Sequence, residues 1–215
     1  MMQTIVSVHT PKVAGTSFLC QLKDIYGENQ VLQDYSDDPA NPLSVICIDP
    51  NSYDVSPIKS ISPFKIVHGH FHPRKYAHLV SAYRLTFLRH PVDNIMSIYN
   101  FWSARELNFW SHPVFNYFKK ANLSPSRLAM LAQLRYLYSR VYFGGFDMAS
   151  FDFIGDYACY GQELMRLGES LGVRFDRDVR HNVTAHQRAL SDDEFAELAR
   201  ILKDDIDFYE TYKGR

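Results

Sequence analysis

The strongest constraint on the fold lies at the start of the chain. Residues 4–8 form a short apolar run that ends in the loop His9-Thr10-Pro11-Lys12-Val13-Ala14-Gly15-Thr16-Ser17. The loop passes directly into residues 16–26, where Phe18, Leu19, Leu22 and Ile25 recur at helical spacing on one side. Strand, tight loop, helix is the opening of an α/β domain. The later pattern extends it. Residues 64–67, 85–88 and 151–154 are short apolar runs, and the first two lead into a His-rich or charged turn, as buried parallel strands do. Residues 36–63 are rich in Asp, Pro, Asn and Ser and read as loop around one short strand at 45–48. Between these runs lie helical patterns. Leu128, Leu131, Leu134, Tyr138 and Val141 follow one helical spacing. Leu164, Leu167 and Leu171 follow another, closed by Gly172 as its C′ residue. A last helix starts at the capping box Ser191-Asp-Asp-Glu194 and carries Phe195, Leu198, Ala199 and Leu202. Alternating strands and helices imply a mostly parallel sheet covered on both faces, with ligands at the carboxyl ends of its strands.

Composition narrows the function. With 46% hydrophobic and 22% charged residues, the 215-residue chain can bury a sizeable core as a single domain spanning 1–215. A net charge of −1 argues against a nucleic-acid coat protein, which would be basic. No stretch approaches the apolar length of a membrane span. The first residues lack the basic and apolar regions of a signal peptide. Cys20, Cys47 and Cys159 form no C-x-x-C pair, which disfavours a disulfide framework or cysteine zinc site and fits the cytoplasm.

The first loop has the make-up of an anion site. Backbone N–H groups at a helix N-terminus face outward, and the helix dipole favours negative charge there. Gly15 permits close approach, Thr16 and Ser17 add hydroxyls, Lys12 adds charge, and Val13 and Ala14 contribute backbone. The nucleotide-hydrolysing order G-x-x-x-x-G-K-[ST] is absent, because the lysine precedes the glycine. An ordinary strand–helix turn with a chance lysine is the alternative. A second site follows residues 85–88. Arg89 stands at a strand end, Pro91 suits a first helical turn, and Ser97 lies eight residues after Arg89. An arginine with a hydroxyl makes a clamp for a second phosphate. A surface arginine paired with Asp93 is the plainer reading.

Pro-Lys-Val-Ala-Gly-Thr-Ser-Phe resembles the 5′-phosphosulfate loop of sulfotransferases that use 3′-phosphoadenosine 5′-phosphosulfate (PAPS), and among these the carbohydrate, heparan sulfate 2-O type. The Arg89–Ser97 segment is similar to that family's 3′-phosphate motif. The resemblance implies a P-loop NTPase-like central parallel sheet flanked by helices. It implies sulfuryl transfer from PAPS to a hydroxyl of a small-molecule or saccharide acceptor, leaving PAP. Lys12 would contact the phosphosulfate bridge, and Gly15, Thr16 and Ser17 would wrap the 5′-phosphate. More weakly, residues 151–155 resemble a late family strand, Asn182-Val-Thr184 a loop closing over the nucleotide, and Asp207-Phe-Tyr209 the closing helix. His90 departs from the Asp or Asn common in the family.

His68, His70 and His72 alternate, and in an extended chain such residues face one side and are expected to converge. The residues alone leave a metal site, a general base and hydrogen-bonded structural histidines open. The resemblance implies that His-Gly-His at this place supplies the base, matching His68, with His70 in support. Which of the two takes the proton stays open. Sulfuryl transfer needs no metal in principle. Residues 99–117, rich in aromatic rings and including both tryptophans, open a helical insertion at about 99–146 that suits an acceptor pocket, a local core or a subunit interface. The rival functions are a P-loop nucleotide kinase or NTPase, for which Asp156 is the one candidate magnesium ligand, and a non-catalytic nucleotide-binding relative.

Overall fold

The computed structural model describes residues 3–107, 109, 112–178 and 189–215. Five parallel strands form one sheet in the order β2-β3-β1-β4-β5: β1 (Ile5–Val8), β2 (Val31–Asp34), β3 (Ile66–Gly69), β4 (Tyr83–Leu88) and β5 (Phe153–Asp156). With helices flanking it, this is the α/β, P-loop NTPase-like arrangement expected. Period-2 alternation explains why the strands read as continuous apolar runs. Ile5, Ile66 and Leu85 point to a core shared with Phe18 and Leu22 of α1 (Gly15–Tyr26). Val6, Val8 and Val67 point the other way, to a core that includes Tyr138, Tyr142 and Tyr209. A third core joins α3 (Pro91–Ser103), through Val92, Ile95 and Trp102, to Phe115 and Phe118 of α4 (Pro113–Ala121) and to Leu198 of a C-terminal helix.

Two expectations are overturned. Residues 45–48 form a short helix, α2 (Val45–Ile48), instead of a strand. Only Ile46 is buried there and Ile48 is 65% exposed, so one buried position per turn suffices where a strand would need alternate ones. The strand lies earlier, as β2, whose Val31 alone is fully buried at the sheet edge. The helical spacing through Leu128–Val141 is broken into α5 (Pro125–Ala129), α6 (Ala132–Arg135) and a π-helical turn, Leu137–Tyr142. Tyr136 leaves helical space at φ −120° and ψ 38°. Beyond it, the Tyr138 and Ser139 N–H groups go to the Asp205 carboxylate, both at 2.9 Å.

The remaining helices match expectation. α7 (Tyr160–Leu171) ends at Gly172, whose φ of 67° suits only glycine well. α8 (Asp192–Ile201) starts at Ser191 with both arms of the capping box made. α9 (Lys203–Tyr212) follows it and carries Asp205. Among the described residues no helix is long and apolar enough to cross a membrane.

Candidate active site

The sheet delivers three loops to one edge, those following β1, β3 and β4. In the first, Lys12 (φ 62°) and Ala14 (φ 50°) are non-glycine residues in the left-handed region. Such strain persists where the surrounding structure imposes it, and alternating hands turn successive N–H groups inward as an anion nest. Ala14 is the N-cap of α1, with no side-chain cap and no acidic residue in the first turn. The helix N-terminus is thus left to an anion. Val13 and Ser17 are buried, while Thr16 is exposed. Asn94 of α3 donates to the Pro11 carbonyl at 2.7 Å and ties the loop to the second site.

Arg89 leaves the end of β4 and donates from Nη1 to the Lys12 carbonyl at 3.2 Å. Its guanidinium lies over the Tyr157 ring, 4.9 Å from the centroid. Lys12 Nζ sits 3.8 Å from the centroid of Phe101, a ring that also faces Arg105 at 4.7 Å. Burial, then Arg89, then Arg105 hold the Lys12 ammonium below the ordinary lysine range. Lys12 and Arg89 make no ion pair with a carboxylate among the described residues. The cation cluster therefore has charge left for an anion. Ser97 is half-buried in α3, two turns beyond Arg89, and among the described residues the hydrogen bonds of Arg89 run to Tyr138 and Lys12. Asn182 and Thr184 lie outside the described residues.

The histidines converge in part. His68 and His70 flank the His9 ring, with centroids 5.2 and 4.7 Å away. His72 departs from the group. Its Nδ1 accepts from the Arg74 N–H at 3.2 Å, and its Nε2 donates to the Gly144 carbonyl at 3.2 Å. His68 is 1% exposed, with Nδ1 2.8 Å from the Ser7 hydroxyl, its register partner on β1. Burial, then neighbouring His70, pushes its pKa down to about 3, so it is neutral at pH 7. His70 is only half-buried. Its Nδ1 lies 2.6 Å from the His9 carbonyl, which can only accept, so Nδ1 carries the proton and Nε2 the lone pair. Burial also lowers the His70 pKa. Among the described residues no group of three or more His, Cys, Asp or Glu is arranged to hold a metal ion.

His9 is a site residue that the spacing argument passes over, although it leaves β1 as His70 leaves β3. Val8 pairs with Gly69, and the His9 N–H donates to the Gly69 carbonyl at 2.8 Å. Adjacent strand ends with a histidine one residue beyond each are a readable signal. Gly15 serves this packing, since a Cβ there would overlap the His9 ring.

No family model matches the chain, and no curated protein does. Among solved structures it is similar to a sulfotransferase from Alicyclobacillus acidocaldarius, with 16% identity, a TM-score of 0.49, and coverage of 98% of this chain and 96% of that one. It is similar also to mouse sulfotransferase SULT7A1, solved as a complex with PAP, with 13% identity and a TM-score of 0.37. The match covers 93% of this chain and 64% of the mouse protein. At these scores neither likeness bears on function.

Proposed function

We propose that the protein is a sulfotransferase that moves a sulfuryl group from PAPS to a hydroxyl of a small-molecule or saccharide acceptor. The observation that carries this reading is the junction of the two anion loops. Lys12, in the left-handed loop after β1, and Arg89, at the end of β4, are bonded to each other through the Lys12 carbonyl at 3.2 Å. Two cationic loops side by side suit a nucleotide phosphorylated at both ends. The N–H groups of residues 13–17 with Lys12 would hold its 5′ end, and Arg89 with Ser97 its 3′-phosphate. PAPS bound there supplies the sulfuryl group.

The chain's own residues supply charge and proton transfer. Lys12 places a positive charge beside the 5′ end, where negative charge grows as the sulfuryl group departs. His70 is the group proposed to take the acceptor's proton, because its Nε2 carries the lone pair on the less buried side of the stack. His68 and His9 hold it in place. An ATP- or GTP-using enzyme has less support. The lysine after Gly15 is missing, and Asp156 Oδ1 already accepts from Ala158 N–H at 2.9 Å and from the Tyr209 hydroxyl at 2.8 Å.

Arg89→Ala tests the assignment. Losing a charge-assisted contact of roughly 1.5–3 kcal/mol should weaken PAP binding by one to two orders of magnitude. Binding of 5′-AMP, which lacks the 3′-phosphate, should change little. Equal losses for both ligands in calorimetric titrations would remove Arg89 from the 3′-phosphate site.

A further inference from the structure

One element of the fold touches both halves of the site, and neither the anion motifs nor the histidine motif includes it. The π-helical turn Leu137–Tyr142 runs beneath the ends of β1, β3 and β4. Tyr138 and Tyr142 project from it four residues apart, and both are almost fully buried. The Tyr138 hydroxyl donates to the Arg89 carbonyl at 3.0 Å and accepts from the Arg89 N–H at 3.3 Å. The Thr10 hydroxyl of the first loop donates to the Phe87 carbonyl at 3.2 Å, two residues before Arg89. The Tyr142 hydroxyl lies 3.0 Å from His70 Nδ1. We propose that Tyr138 and Tyr142 are positioning residues that set the 3′-phosphate arginine and the proton-accepting histidine in register from a single π-helical turn.

The turn itself is fastened from the C-terminal region. Asp205 of α9, 1% exposed, accepts from the Tyr138 and Ser139 N–H groups and from the Ser139 hydroxyl at 2.6 Å. Burial raises its pKa to about 6, against the pull of these donors. π-turns are rare and cluster at functional sites. Here one carboxylate takes two successive N–H groups at the start of the turn, and two tyrosines four residues apart reach different loops. An ordinary buried tyrosine would need one partner for its hydroxyl. Tyr138 instead spends donor and acceptor on the backbone of one residue, at the strand-to-helix corner from which the arginine side chain departs.

Tyr142 acts differently. The His70 Nδ1–H already points at the His9 carbonyl, so the Tyr142 oxygen is a second acceptor facing the same proton. Two oxygens there hold the tautomer that leaves Nε2 basic, and they stabilise the imidazolium that forms on proton uptake. The other groups facing His70 are the His9 and His68 side of the stack, the Tyr35 ring edge-on at 5.0 Å, and the more distant Asp38 carboxylate. Both tyrosines stay protonated, since burial raises their pKa values.

The proposal rests on the roles given above to Arg89 and His70, and its test separates the two layers. Calorimetric affinities for PAP and 5′-AMP would be measured alongside the NMR titration of the His70 ring in the nucleotide-free protein. Tyr138→Phe should cut the preference for PAP over AMP by about fivefold to tenfold, the loss of one or two neutral hydrogen bonds, with the His70 titration unmoved. Tyr142→Phe should leave that preference alone and move the titration to lower pH, because the imidazolium loses an acceptor. Asp205→Asn should disturb both readouts together. Variants that only lower the melting temperature, with preference and titration both as in wild type, would overturn the proposal. A wild type with no preference for PAP would overturn the Arg89 reading and the Tyr138 half with it. The Tyr142 half would then be decided by the titration, which needs no nucleotide.

Discussion

His70→Ala should lower turnover by about two to four orders of magnitude, the usual worth of a positioned general base, while PAP affinity stays near wild type. The sign of the pH dependence follows from the role. A general base works when neutral, so the wild-type rate should fall as the imidazole protonates at low pH. Burial of His70 disfavours its charged form, so the acid limb should lie below the ordinary histidine value of about 6.5. The limb should disappear in the alanine variant. His68→Ala is the control that separates two neighbouring imidazoles. His68 is bonded to Ser7 and lies behind His9, so its loss should loosen the stack and slow the enzyme without erasing the acid limb. A lost limb in His68→Ala and a kept one in His70→Ala would hand the proton back to His68.

Lys12→Ala should reduce kcat by about a hundredfold or more, with a smaller change in PAP affinity. The lysine is held at a cost before any ligand arrives. It is partly buried, it sits near Arg89 and Arg105, and its ammonium is pressed toward deprotonation. An incoming anion relieves that repulsion, and the charge counts most where negative charge grows at the departing oxygen. Lys12→Arg should restore binding more than turnover, because a planar guanidinium does not reproduce a point charge. An unchanged kcat in Lys12→Ala, measured under donor saturation, would reduce Lys12 to a loop residue.

How much of this was legible in the sequence depended on whether a residue's role was local. The loop from His9 to Ser17 announces itself because strand, loop and helix are contiguous and each has its own pattern. Arg89 is readable for the same reason, standing between an apolar run and a proline-started helix. The exchange of strand for helix at 45–48 has a physical origin: four apolar residues are too few to show a period, and the choice is made by Ile46 packing into the core below β1 and β3. β2 is hidden because an edge strand of Val-Leu-Gln-Asp buries little. The π-turn was not readable at all. At its start the Asp205 carboxylate, more than sixty residues later in the chain, takes two N–H groups that a continuous helix would have used. Alternation brought His68 and His70 together correctly around His9. It failed for His72, where the chain has left the strand and Pro73 starts a short 3-10 turn that His72 caps.

The most direct measurement is a calorimetric titration of the purified protein with PAP in magnesium-free buffer, set beside ATP and GTP with and without magnesium. Under the proposed function, Lys12 and Arg89 hold a ligand phosphorylated at both the 5′ and 3′ positions. The expected result is saturable PAP binding without magnesium, with ATP and GTP weaker by at least tenfold, the worth of one charge-assisted contact of about 1.5 kcal/mol. Magnesium-dependent binding of ATP or GTP that exceeds PAP would contradict the account and make the chain a nucleoside triphosphate enzyme.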